Sequence, residues 1–305
     1  MEACYQIKYH RFFRQLRMVT SFALLIPGIT AFAQPAEQMR INREVLSALN
    51  QVRREAGLDT VSLSAELSRG CYNHAKYLVI NKGRHEIEGL RAHEERNTLK
   101  GYTPEGEIAG RQSVITFVLP EYAITSWLNT FYHRIALIMP YLKFVGFGYY
   151  RQGDDVACVL DWHVCGAPPD KRAIVYCPSP NQIVTTAVYD KELPDPIPQC
   201  NWFDARGFPV TITFTENMKL TEVSFKLTDN HNEPVDCWFS TPEKPSPGNM
   251  QGNSICAIPK GPLKSGTTFT VTLHCKINGA VFDKQYSFKT VGRYYATVYA
   301  KPKPH

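Results

Sequence analysis

The sequence predicts an α+β domain followed by an all-β, immunoglobulin-like sandwich. Three observations predict it. Amphipathic helical periodicity is confined to the first half of the 305-residue chain. Two apolar strand patterns, "KFVGFGYY" and "DVACVLDW", follow those helices, with "RQGD" as a turn between them. From Gly207 onward only strand signals remain, separated by turn residues at short spacing.

The chain begins with an export signal. Lys8, Arg11, Arg14 and Arg17 precede the apolar run "MVTSFALLIPGITAFA", and Ala31-Phe32-Ala33 is a small-residue cleavage pattern. The run is short for a membrane span, which needs about 20 apolar residues, and no later segment is longer. The mature chain is expected to start near Gln34, outside the cell or in a periplasm, with no membrane span. The formal charge of +6 falls to about +3 once residues 1–33 are removed. That balance, without a basic helix or aromatic-basic interleaving, argues against a nucleic-acid partner.

Helical periodicity first appears over 38–55, where Met39, Ile41, Val45, Leu46, Leu49 and Val52 share a face and Gly57 stops the run. A second helix is expected from about Ser64 to Asn81, with Leu67, Cys71, Ala75 and Leu78 on one side and Gly83 beyond its end. Residues 84–113 are polar and charged and read as long connections. A third helix starts near Pro120 and runs into "SWLNTFYHRIALIMPYLKFVGFGYY".

After Cys177 the texture changes. Residues 177–206 are rich in proline and read as a linker between a first domain (34–176) and the sandwich (207–292), with a tail over 293–305. Six strands are expected in the sandwich, from "FPVTITF", "EVSFKLTD", "PVDCWFS", "SICAIP", "TTFTVTLHC" and "AVFDKQYSFKT". Eight cysteines remain after cleavage, four on each side of the boundary, and an even number in an exported chain favours two disulfides per domain. Cys158 and Cys165 are a poor direct pair on one strand, where seven residues would span ~23 Å. No C-x-x-C pair is present to suggest a zinc site.

The polar residues that interrupt the structural pattern in the first domain are His85, Glu107 and His133, with Thr130 one turn before His133. Two imidazoles and a carboxylate, if they converge, make a divalent-metal site or an acid–base set. On one continuous helix, however, Ile124, Trp127, Leu128, Phe131, Ile135 and Ile138 share a face and His133 points away from it. A functional His133 therefore requires a break near Phe131-Tyr132. His74 reads as a helix residue packed under a loop, His93 as solvent-facing and a weaker rival of His85, and Trp162 as core. Glu86 and Glu88 read as a solvated loop.

These motifs, in this order, resemble a known family. "LNQVRREAGLDTVSLSAELSRGCYNHAKYLVINKGRHE" carries Asn50, Arg53, Gly57, Leu58, Leu67, His74, Ala75 and His85. "GYTPEGEIAG" supplies Gly106, Glu107 and Ile108, and "SWLNTFYHRIALIMPYLKFVGFG" supplies Trp127, Thr130, His133, Arg134, Gly146 and Gly148. Residues 43–161 thus resemble the CAP superfamily of cysteine-rich secretory, antigen 5 and pathogenesis-related class 1 proteins, in its bacterial SCP-like extracellular form.

The resemblance implies an α-β-α sandwich with a groove lined by histidines and acids. Carried over by position, the groove residues are His85, Glu107, Thr130, His133 and Arg134, with His85, His133 and Glu107 as candidate ligands for a divalent zinc or calcium ion. Animal and plant members place a second acid where this chain has Thr130. The Asn usual after the motif glutamate is missing, and Phe131-Tyr132 replaces the common Pro-Gly before the histidine. The expected function is a non-catalytic extracellular binding module for a lipid or an ion. A hydrolase using a metal or a histidine-activated Thr130, and an adhesive protein binding through its sandwich, are the alternatives. No G-x-S-x-G or H-E-x-x-H motif is present to supply a nucleophile or a zinc helix.

Overall fold

The computed structural model describes residues 36–162, 172–185, 188–201, 204, 206–248 and 250–292. The expected export signal (residues 1–33), His163, Cys165 and the tail lie outside the described residues. Among the described residues, no helix is long and apolar enough to cross a membrane.

The first half is a three-layer α-β-α arrangement. Its sheet has the order β1 (Ser62–Leu63), β3 (Phe144–Gln152), β4 (Asp155–Asp161) and β2 (Ser113–Thr116). Strands β3 and β4 form the expected hairpin, closed at Gln152↔Asp155 with Gly153 at φ +63. Alternation along β4 sends Cys158 and Leu160 to one face and Ala157 and Val159 to the other, and both faces are buried. Helices α1 (Ala36–Glu55), α4 (Pro120–Leu128) and α5 (Tyr132–Leu137) cover the first face through Val45, Leu49, Ile124, Trp127 and Leu137. Helix α2 (Ala65–Ile80) covers the other through Cys71, Ala75 and Leu78.

Two glycines set how closely α2 approaches the sheet. A β-carbon on Gly146 would lie 2.5 Å from the Leu67 backbone, and one on Gly148 would lie 2.1 Å from Tyr72 N. Only glycine allows this contact of helix backbone on strand backbone.

The region 84–113 is more regular than its polarity suggests. It holds two short 3₁₀ turns, His85–Ile87 and Gly89–His93, and helix α3 (Pro104–Arg111). Thr103 caps α3 by accepting the Gly106 N–H, and Pro104 opens its first turn.

The second half is a sandwich of two four-stranded sheets. One has the order β5 (Ile174–Cys177), β7 (Val210–Phe214), β10 (Ser254–Pro259), β9 (Cys237–Ser240). The other runs β6 (Ile183–Val184), β12 (Ala280–Thr290), β11 (Thr268–Ile277), β8 (Leu220–Thr228). Their facing sides share one core containing Val210, Ile212 and Phe214 from the first sheet and Leu227, Val271, Leu273 and Phe288 from the second. All six strands expected after Gly207 are present. Two further strands lie before it: β5 falls at the end of the expected first domain, and β6 falls inside the expected linker. The rest of that proline-rich segment packs on both halves, as described below.

The expectation of disulfides is not met among the described residues. Cys71, Cys158, Cys177, Cys200, Cys237, Cys256 and Cys275 are all free. Most are dispersed through the interior: Cys71 beneath α2, Cys158 and Cys177 on the opposite face of the first sheet, Cys275 within the sandwich, Cys256 between the halves. They pack as small apolar side chains.

Candidate functional site

The site begins with a broken helix. Helix α4 ends at Leu128 and α5 starts at Tyr132, so the chain turns where a functional His133 requires it. Tertiary partners take over the work of the missing Pro-Gly. The Thr130 hydroxyl donates to the Trp127 carbonyl (2.8 Å), Arg134 Nε donates to the Leu128 carbonyl (2.6 Å), and the Asp190 N–H donates to the Asn129 carbonyl (3.1 Å). On the other side of the break, the backbone N–H groups of Phe131 (2.6 Å) and Tyr132 (2.9 Å) donate to the carboxylate of Glu192. The Leu128 and Asn129 carbonyls and the first N–H groups of α5, freed at the break, are thereby paired.

Glu192 is the acid of this site, and it comes from the proline-rich segment. Its side chain is fully buried. Besides those N–H groups it accepts the Tyr189 hydroxyl (3.0 Å) and the His133 N–H (3.2 Å), and its Oε2 lies 3.0 Å from His133 Nδ1. His133 keeps 16% of its side chain exposed.

The imidazole of His93 lies near enough to His133 for the two to interact electrostatically. His93 is half-buried, and its Nδ1 lies 2.9 Å from the Gly110 carbonyl. Burial holds its pKa below the usual histidine value, and the nearby imidazoles of His133 and His74 lower it further. His85 is exposed, and its imidazole makes no hydrogen bond or ion pair among the described residues. Its carbonyl accepts from Arg91 (2.7 Å).

Behind His93 lies a buried support. His74 is fully buried under the loop, as its place on α2 suggested. Its Nδ1 is 3.0 Å from Glu95 Oε1 and its Nε2 2.8 Å from the Ala92 carbonyl. Glu95 also accepts the Thr103 N–H (2.8 Å) and so fixes the start of α3. The glycines of "GYTPEGEIAG" make room for this pair: a β-carbon on Gly106 would lie 2.2 Å from Glu95 Oε1, and one on Gly110 2.5 Å from the His74 ring.

The remaining expected residues have other roles. Glu107 pairs with Arg111 (2.8 Å) and accepts the Tyr102 hydroxyl (3.2 Å). Thr130 is 2% exposed and its proton is committed to Trp127, so it is not a free nucleophile. Arg134 is fully buried and does not line a groove. It donates to the carbonyls of Leu128, Cys177 and Pro209 and stacks 4.3 Å over Phe208, fastening α5 to the sandwich.

His85, Glu107 and His133 form no metal-binding cluster, nor does any group of three His, Cys, Asp or Glu side chains among the described residues. Two imidazoles without a third such ligand do not fit the donor sets of zinc or the oxygen shell of calcium.

His93, Glu95 and Glu192 are the residues that sequence reasoning missed or ranked low. The Ala-His-Glu-Glu run was visible, but only the packing of α2 separates His93 from His85. Nothing in the sequence pattern marks Glu192.

No curated protein matches the chain. Among solved structures, CopC from Methylosinus trichosporium OB3b aligns with a TM-score of 0.25 and 14% identity, over 40% of this chain and 94% of that one. An outer surface protein from Borrelia burgdorferi aligns with a TM-score of 0.32 and 18% identity, over 41% of this chain and 93% of that one. Residues 46–165 match the family described as CAP, the cysteine-rich secretory protein family. That span contains the whole sheet of the first half, α2 to α5, and both His93 and His133. The chain therefore carries, over residues 46–165, a domain of the cysteine-rich secretory protein family.

Proposed function

We propose that the protein is an exported binding module that holds a small ligand between His93 and His133. The observation that carries this reading is the paired state of the two rings. His93 Nδ1 bonds the Gly110 carbonyl, His133 Nδ1 meets Thr130 Oγ1 at 3.3 Å and lies 3.0 Å from Glu192 Oε2, and neither Nε2 is among the buried polar atoms lacking a partner. Two oriented imidazoles close enough to interact electrostatically are a recognition feature, and no third ligand accompanies them among the described residues. Export follows from the basic, apolar and A-x-A pattern of residues 1–33.

The test is histidine NMR on the full chain. Fragments bearing hydroxyl, amine, carboxylate or alkyl groups are titrated while the ring Cε1–H signals are followed. The reading expects one class to move the signals of His93 and His133 together and leave those of the exposed His231 and His274 in place. If no fragment moves both, the reading fails.

A second reading, hydrolysis of water-accessible esters or peptides, draws on the His133–Glu192 contact, which orients a ring as a general base is oriented. Turnover of an ester or peptide substrate that disappears in His133→Ala would support it. Turnover unchanged in that variant would exclude His133 as the base.

A further inference from the structure

The inference drawn next rests on the two-imidazole groove. We propose that Glu192 is its positioning residue: it fixes the proton of His133 on Nδ1, so that His133, like His93, meets its ligand with a lone pair at Nε2.

The geometry at Nδ1 leaves one arrangement. Glu192 Oε2 is 3.0 Å away, and this carboxylate already accepts from Phe131, Tyr132, His133 and Tyr189. Donors converging on it from every side require an acceptor-only group. The other neighbour of Nδ1 is Thr130 Oγ1, at 3.3 Å, and its proton lies on the Trp127 carbonyl. Thr130 Oγ1 can only accept from Nδ1, and the Glu192 carboxylate 3.0 Å away favours a proton there by its charge, so the ring nitrogen facing both is the protonated one. At His93 the same logic holds with a carbonyl, Gly110 O, facing Nδ1.

Glu192 reaches His133 because its segment is pinned from both halves of the molecule. The Asp190 N–H is held by the Asn129 carbonyl, and Leu193 lies against Gly89. Pro194 packs on Gly248, and Asp195 pairs with buried Arg206 (3.2 Å). The family segment, residues 46–165, supplies both rings but not the group that sets the tautomer of one of them. A groove with two ring acceptors takes a ligand that donates hydrogen bonds, such as the hydroxyls of a polyol or an ammonium group. It disfavours an anion.

The experiment is a long-range ¹H–¹⁵N correlation on the ¹⁵N-histidine-labelled full chain at pH 8, without ligand. The expected spectrum has the Nδ1–H tautomer at His133 and at His93. An Nε2–H tautomer at His133 overturns the proposal, and this reading needs no variant. In Glu192→Gln the amide presents one oxygen and one NH₂ where the carboxylate presented two acceptors. With the NH₂ toward His133, the ring is expected to invert to Nε2–H while His93 stays unchanged. Because no ligand is present, a failure of ligand binding leaves this result intact, and the two failures are separable.

Discussion

The guanidinium of Arg134 lies 4.3 Å from the ring centroid of Phe208 and donates to the Cys177 carbonyl at 3.2 Å. A residue of the family segment thus has most of its partners in the sandwich. The motif pair His133-Arg134 divides its labour: the histidine keeps part of its ring exposed beside Glu192 and the arginine faces the other half of the molecule.

Removing that arginine leaves buried carbonyls unpaired. Arg134→Ala is expected to destabilise the chain by about 3–5 kcal/mol. Urea denaturation checks this, and it should also resolve two transitions where the wild type shows one, as the halves uncouple.

The buried His74–Glu95 pair behaves as a structural support. Glu95→Ala is expected to cost about 3–5 kcal/mol, because it strands His74 and frees the Thr103 N–H. Hydrogen exchange should rise first over residues 92–111, the segment that the pair holds.

Asp161 gives a pH dependence of defined sign. Its side chain is buried, one carboxyl oxygen has no partner, and burial pushes its pKa up to about 7. Unfolded, it titrates near 4. Between those values the native state binds the extra proton, so its contribution to stability is complete below about pH 4 and is lost as pH rises through 7. The loss is on the order of 4 kcal/mol. Asp161→Asn should flatten the stability profile between pH 4 and 8, as measured by thermal unfolding.

Gly148 tests the closeness of α2 to the sheet. A β-carbon there would meet Tyr72 N at 2.1 Å and the Cys71 carbonyl carbon at 2.6 Å, both backbone atoms that cannot rotate aside. Gly148→Ala is expected to lower stability by about 3 kcal/mol or more, read as a fall in Tm. Gly153→Ala is the contrasting substitution. Nothing lies within 4 Å of its β-carbon position, so its cost is limited to backbone strain at φ +63.

Truncation is expected to fail as a way of isolating the groove. A chain ending at residue 177 keeps His93 and His133 but lacks Glu192, Phe208 and Pro209. It should show rapid hydrogen exchange over residues 129–137, because the N–H groups at the start of α5 lose their acceptor.

The helices and strands could be read from periodicity, because an amphipathic face such as Val45–Leu49 or an alternating run such as β4 declares its own partner surface. Helix α3 escaped notice because it is short and polar, although Thr103-Pro104 marked its start. The site was only half readable. His133 stands in a readable motif, but the break after Leu128 that a functional role requires of it is held by Asp190 and Glu192 some sixty residues away. Composition made that segment look like a linker. Prolines stiffen a chain as readily when it is packed as when it is free, and only the contacts of Tyr189, Glu192 and Asp195 distinguish the two cases.

The unpaired cysteines make the protein a carrier of its own unfolding reporters. Cys71, Cys158, Cys177, Cys256 and Cys275 are each at most 3% exposed, and burial raises the pKa of every one of these thiols. A thiol in that state reacts with an alkylating agent only when its surroundings open. Since the five are distributed over four separate cores, the order in which they are alkylated in dilute denaturant would rank the local opening of α2, the outer helices, the seam between the halves and the sandwich, without any engineered probe.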